Sequence, residues 1–170
     1  GLQAASATAN NSPFATLRGD VEVIVLQNCT LKGSIHGAFK NLKSLEKVEC
    51  KNVDTTGVTY MTCLFEGCES LTSVDLSSFN TTNVMGMERM FEGCISLTDL
   101  DLSGFDNTKV TWMTNMFYGC ESLTDLDLSD LDKLKVDLPN SYLLARDKLP
   151  RLKNCQRTIP INKKKNTLKS

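Results

Sequence analysis

The chain has 170 residues, 41% of them apolar, with 19 basic and 20 acidic side chains and a formal net charge of −1. That is the length of one domain, and the balanced charge offers no bulk attraction to nucleic acid or to an anionic membrane. No apolar run approaches the ~18 residues that a membrane-spanning helix requires. Residues 1–16 have neither the basic start nor the apolar core of a secretory signal, and a chain opening on Gly1 reads as a processed or trimmed product.

Residues 1–17, rich in Ala, Ser, Asn and Thr, carry too little apolar surface to order themselves and read as a flexible tail. A repeat domain follows over residues 18–136, and its first rung, 18–32, is degenerate. There Val21, Ile24, Leu26 and Cys29 match Leu45, Val48, Cys50 and Val53, 24 residues later. A terminal repeat that must cap an exposed end departs from consensus in this way. Next, Ile35, Ala38, Phe39 and Leu42 form an apolar helical face. Asn41 holds the place that Gly67, Gly93 and Gly119 take later, and Asn and Gly both tolerate a left-handed backbone.

From Met61 the pattern becomes explicit, because one sentence is written three times at 26-residue intervals. Its copies are Met61-Thr-Cys-Leu-Phe-Glu-Gly-Cys68-Glu-Ser-Leu-Thr-Ser-Val-Asp-Leu-Ser77, the equivalent run from Met87 to Ser103, and that from Met113 to Ser129. A period of this size is the signature of a stacked array, here about four 26-residue repeats. Met113, Met116, Phe117 and Cys120 fall at i, i+3, i+4, i+7, which predicts a short helix. Leu123, Leu126 and Leu128 follow the Leu-x-x-Leu-x-Leu pattern of a strand. A second inward column, Val53, Phe79, Phe105 and Leu131, precedes polar turns at Asp54-Thr-Thr-Gly, Asn80-Thr-Thr-Asn and Asp106-Asn-Thr-Lys, which suit Asx turns. Val58, Val84, Val110 and Val136 then close each coil. Residues 137–160 are expected to form a C-terminal cap, with Leu149, Leu152 and Cys155 over the last rung's edge. Residues 161–170, with three lysines from Lys163 to Lys165, read as a basic flexible tail.

The run Met-x-x-Met-Phe-x-Gly-Cys-x-Ser-Leu-Thr-x-Leu-Asp-Leu-Ser resembles the repeat of BspA-like leucine-rich proteins and their mycoplasma-lipoprotein, DUF285-type relatives. Gly37-Ala-Phe-Lys-Asn-Leu-Lys-Ser-Leu45 resembles a variant of the same repeat. The expected fold is an α/β solenoid, a right-handed leucine-rich-repeat coil with a parallel β-sheet on the concave face and short helices and turns on the convex face. The resemblance also implies a microbial surface or secreted protein that binds host protein or other cells. Such repeats are scaffolds that serve many partners, so the fold alone does not name one.

Cys68, Cys94 and Cys120 share one repeat position with Leu42, so that column accepts a medium-sized apolar group. They read as core thiols, and no Cys/His spacing suits a metal. Cys63 shares its column with Gly37, Arg89 and Asn115, which predicts a place near the surface. The single histidine, His36, lies one rung away, yet no orienting acid or oxyanion site accompanies the pair.

The residues between the strand leucines bring Asp75, Asp99, Asp101, Asp125 and Asp127 onto one face. Three readings stand: a hydrated family preference, a recognition surface for a basic or hydroxyl-rich partner, and weak calcium binding through several carboxylates. Trp112 and Tyr118 are large aromatics at predicted polar positions, either partner anchors or edge packing. The triplets at Asn10, Asn28 and Asn80 are glycosylation acceptors only in a eukaryotic secreted protein. No enzyme, cofactor, metal or nucleic-acid signature is present. The expected function is a non-enzymatic protein-binding module at a cell surface or secreted. The alternative is a cytoplasmic or host-delivered effector or inhibitor using the same sheet.

Overall fold

A computed structural model describes residues 21–123, together with the backbone of two short strands, Leu126–Asp127 and Leu152–Lys153. Strand β1, Val23–Ser34, pairs in parallel with β2, Lys47–Tyr60, and β2 pairs in parallel with β3, Ser73–Val74. Ile24 lies beside Val48, Leu26 beside Cys50 and Cys29 beside Val53, which is the 24-residue offset expected of the first rung. The later offset of 26 appears as Lys47 beside Ser73 and as single bridges from Tyr60 to Gly86 and from Gly86 to Trp112. Strands β4, Leu126–Asp127, and β5, Leu152–Lys153, form a second, parallel pair.

Successive repeats stack their equivalent side chains. Phe39, Phe65, Phe91 and Phe117 form a column of near-parallel rings with centroids 5.4, 5.5 and 5.9 Å apart. Around it lie buried columns of Leu45, Leu71, Leu97 and Leu123, of Met61, Met87 and Met113, and of Cys68, Cys94 and Cys120. Val58, Val84 and Val110 close each coil from the other side, all buried as expected. Equivalent residues touching along an axis is what lets a short period build one continuous core.

The short helices expected in the second half of each repeat are not formed; the described residues contain no helix. Each coil instead carries two left-handed residues four apart: Gly37 and Asn41, Cys63 and Gly67, Arg89 and Gly93, Asn115 and Gly119. Left-handed backbone cannot continue a right-handed helix. The amides divide their work instead. Leu64, Glu66 and Cys68 donate within the coil to Met61, Cys63 and Phe65, at 3.1–3.2 Å. Cys63, Phe65 and Gly67 donate across to Glu88, Met90 and Glu92 of the next coil, at 2.7–2.8 Å. A chain of turns locked to its neighbour places residues 61, 64, 65 and 68 inward just as a helix would. Periodicity therefore found the correct inward residues but the wrong backbone.

The glycine column is also a close approach. A Cβ on Gly93 would lie 3.6 Å from Gly67 Cα, and one on Gly67 would collide with the Asn41 side-chain oxygen. The polar turns fold as read: Thr56, Thr82 and Thr108 amides donate to the Oδ1 of Asp54, Asn80 and Asp106 at 2.9, 3.0 and 2.9 Å. Inside those turns is a column that sequence reading missed. Thr55 is fully buried, donating its hydroxyl to Asn80 O (2.9 Å) and accepting from Asn80 N (2.7 Å). Thr81 repeats both bonds to Asp106 at 3.0 and 2.8 Å. A threonine in a polar loop looks solvent-facing in sequence; here it replaces the missing backbone partner between coils.

Candidate interaction surface

The exposed side chains of the strands form a face that changes character from coil to coil. The first coil shows Val23 and Val25, 54% and 52% exposed. In the second, Glu49 sits between Lys47 (2.7 Å) and Lys51 (3.1 Å), whose hydrogen bonds and charges hold its carboxyl below the ordinary value. The third carries Ser73, Asp75 and Ser77, and the fourth carries Asp99, Asp101 and Ser103, with all three aspartates exposed. Apolar, basic and acidic surfaces thus follow one another along the stack.

Asp75 and Asp101 have a local task as well. Asp75 Oδ1 accepts from the Ser77 amide at 3.0 Å, and Asp101 Oδ1 from the Ser103 amide at 2.9 Å. Hydrogen bonds from Ser77 and Ser103 hold both carboxyls below the ordinary aspartate value. These Asx turns bend the chain just after the inward leucine. That bend accounts for strand length: β2, with Glu49 at this position, runs 14 residues, whereas β3, followed by Asp75, runs two. In the first two coils the corner is made by Asn28 and Asn52, left-handed at φ 50° and 54°, with the Asn52 side chain donating to that of Asn28 at 3.1 Å. Asp125 lies outside the described residues. Asp127 falls in β4, whose side chains lie outside them too.

Trp112 is 51% exposed and Tyr118 41%. Trp112 stacks on Tyr60, two coils away, with centroids 6.5 Å apart and planes inclined by 19°. Gly86 lies between them in the same column, its Cβ position 3.1 Å from Tyr60 Cδ1, 3.3 Å from Thr62 Oγ1 and 3.5 Å from a Glu88 carboxylate oxygen. Tyr60 is not among the candidates drawn from sequence, although the 26-residue register puts it in one column with Gly86 and Trp112. The small Gly86 in an otherwise aromatic column is the sequence signal that could have revealed it.

Cys63 is a correction. It is buried, at 6% exposure, and its hydrogen-bond partner is Glu66, not His36. Burial, then the Glu66 hydrogen bond, pushes its thiol up to about 12. Over it lies an ionic cover in which Lys40 pairs with Glu66 at 2.8 Å and Arg89 with Glu92 at 3.5 Å. Burial raises the Glu66 carboxyl, but hydrogen bonds from Cys63 and Lys40 outweigh it and hold it low. Burial lifts the Glu92 carboxyl above its ordinary value despite the attraction of Arg89. The surface reading of Cys63 failed because its column neighbours Arg89 and Asn115 are polar for their backbone conformation and ion pairs.

Six described cysteines are free, and among the described residues no cluster of His, Cys, Asp or Glu is arranged to hold a metal ion. No helix among them is long and apolar enough to cross a membrane. Compared with known families, residues 33–145 match the one described as "Mycoplasma protein of unknown function, DUF285". The chain belongs to this family. Comparison with curated proteins and with solved structures returned no match. For this DUF285 member the match begins at the end of β1, takes in every copy of the repeated run and continues beyond it to residue 145, leaving most of the first rung outside.

Proposed function

We propose that this DUF285 protein is a non-enzymatic, BspA-like binding module, a right-handed leucine-rich-repeat solenoid carried at a microbial surface and binding a host or cell-surface protein. The observation that carries this reading is the graded face of Val23, Val25, Lys47, Lys51, Asp75, Asp99 and Asp101 on a backbone cross-linked coil to coil. A rigid face with ordered charge favours one partner orientation and speeds encounter more than it adds affinity.

The test immobilises the full chain and measures binding of host extracellular-matrix proteins at low and physiological salt. Saturable binding that weakens with salt, and again with Asp99→Asn, is expected. Asp99 is the variant of choice because it lies outside the turn bonds of Asp75 and Asp101. A binder recovered only from cytoplasmic lysate would instead place the module inside a host cell, an alternative that the free thiols fit. Absence of any saturable protein binder removes the proposal.

A further inference from the structure

We propose that Tyr60, Trp112 and Glu88 form a second binding site, on the turn-bearing side of the coils, for a cationic side chain of a protein partner, arginine or lysine. It rests on the protein-binding reading for its partner but not on the acidic face.

Trp112 keeps half its surface in solvent while one side meets Tyr60 across Gly86. Gly86 makes the arrangement: a side chain there would press on Tyr60 Cδ1 at 3.1 Å and push the two rings apart. Beside that gap stands the Glu88 carboxylate, its Oε2 accepting from the Thr62 hydroxyl at 3.4 Å. Three of the other carboxylates on this side are matched with bases, while the exposed Glu121 has no ion pair among the described residues. Glu66 has Lys40, Glu69 has Lys43 and Glu92 has Arg89. Glu88 has no ion-pair partner among the described residues, although Arg89 is its chain neighbour, because Arg89 reaches to Glu92.

An aromatic face attracts a cation through its quadrupole, and a tryptophan does so best. A carboxylate at the rim adds directional hydrogen bonds for a guanidinium or ammonium group. A neutral planar or sugar ligand would use the rings but leave the Glu88 charge uncompensated, so charge complementarity selects the cation.

Trp112 is the chain's single tryptophan, so its emission reports on this site alone. The full chain is titrated with N-acetyl-arginine amide, with N-acetyl-citrulline amide as the uncharged isostere and with methyl glucoside, all at constant ionic strength. A saturable change with the arginine probe, absent with the other two, is expected. Glu88→Gln should weaken it by about five- to tenfold, and Tyr60→Leu should abolish it while the far-ultraviolet spectrum stays unchanged. Gly86→Ala, which displaces the rings without removing charge, should also weaken it. Equal responses to arginine and citrulline, or unaltered affinity in Glu88→Gln, would overturn the cation assignment. A response to the glucoside alone would give the face to carbohydrate. Because the probes are small molecules, loss of matrix binding with the arginine response intact would refute the surface-adhesion reading and leave this site standing.

Discussion

At the scale of single residues, the cysteine column is more than apolar filling. Cys68, Cys94 and Cys120 donate their thiols to the carbonyls of Phe39, Phe65 and Phe91 in the preceding coil, at 3.0, 3.2 and 3.1 Å. A medium-sized apolar group was legible from the alternation with Leu42; the donor role was not, since only stacked coils reveal the acceptor. For Cys94, serine keeps a donor toward Phe65 O whereas alanine loses donor and volume together. Urea unfolding should therefore cost about 1 kcal/mol for Cys94→Ser and about 2 kcal/mol for Cys94→Ala. Burial also pushes the Cys50, Cys68 and Cys120 thiols up from 9.0 to about 12. The folded chain then holds thiol protons that the unfolded chain has lost. Their contribution is complete below pH 9 and is lost as pH rises toward 12. Removing one such thiol, as in Cys68→Ala, should flatten the fall of the urea midpoint across that window. An unaltered slope would show that the thiols do not govern alkaline unfolding.

At the scale of the element, two devices shape each coil, and they were unequally visible. The Asx turns at Asp54, Asn80 and Asp106 were legible because each is a short polar side chain two residues before a Thr in a polar run. The left-handed pairs were half legible: Asn41 agreed with the glycines of its column, but Cys63 and Arg89, at φ 58° and 54°, carry no such mark. An apolar period of three and four residues belongs to helices and to these turns alike, so no count of leucines and methionines could separate them. Asn80 makes the same turn bond as Asp54 and Asp106, so the amide oxygen suffices. On the strand face, Asp101→Asn should accordingly keep the turn and stay within about 0.5 kcal/mol of the parent, while Asp101→Ala should lose about 1 kcal/mol. The Asp101 carboxyl is held below 3.8, so its charge-linked stability is present above that pH and lost as pH falls through the folded value. Asp101→Asn should remove that acid sensitivity, read as the urea midpoint between neutral and acid pH. Equal losses in both variants would mean that charge, not the turn, fixes the residue.

At the scale of the molecule, contacts run from each coil to the next, and stability should then follow the number of coil–coil interfaces. The stack is regular enough to be shortened by one unit. Gly86 and Trp112 occupy the same register position, so removing residues 87–112 joins Gly86 to Met113 just as it was joined to Met87. The Phe column would close from Phe65 to Phe117, and Cys120 would find the carbonyl of Phe65 in place of that of Phe91. Removing residues 87–108 instead puts the left-handed position of Cys63 opposite a residue with no such conformation and removes the acceptors Glu88, Met90 and Glu92 of the cross-coil amide bonds from Cys63, Phe65 and Gly67 without an in-register replacement. The in-register deletion should fold cooperatively, with a lower midpoint and an m value smaller by about 15%, since m follows the surface exposed on unfolding and 26 of 170 residues are gone. The out-of-register deletion, although it removes less chain, should lose cooperative unfolding. If the shorter deletion were the more stable of the two, stability would track chain length and not register, and the solenoid reading would fall with it.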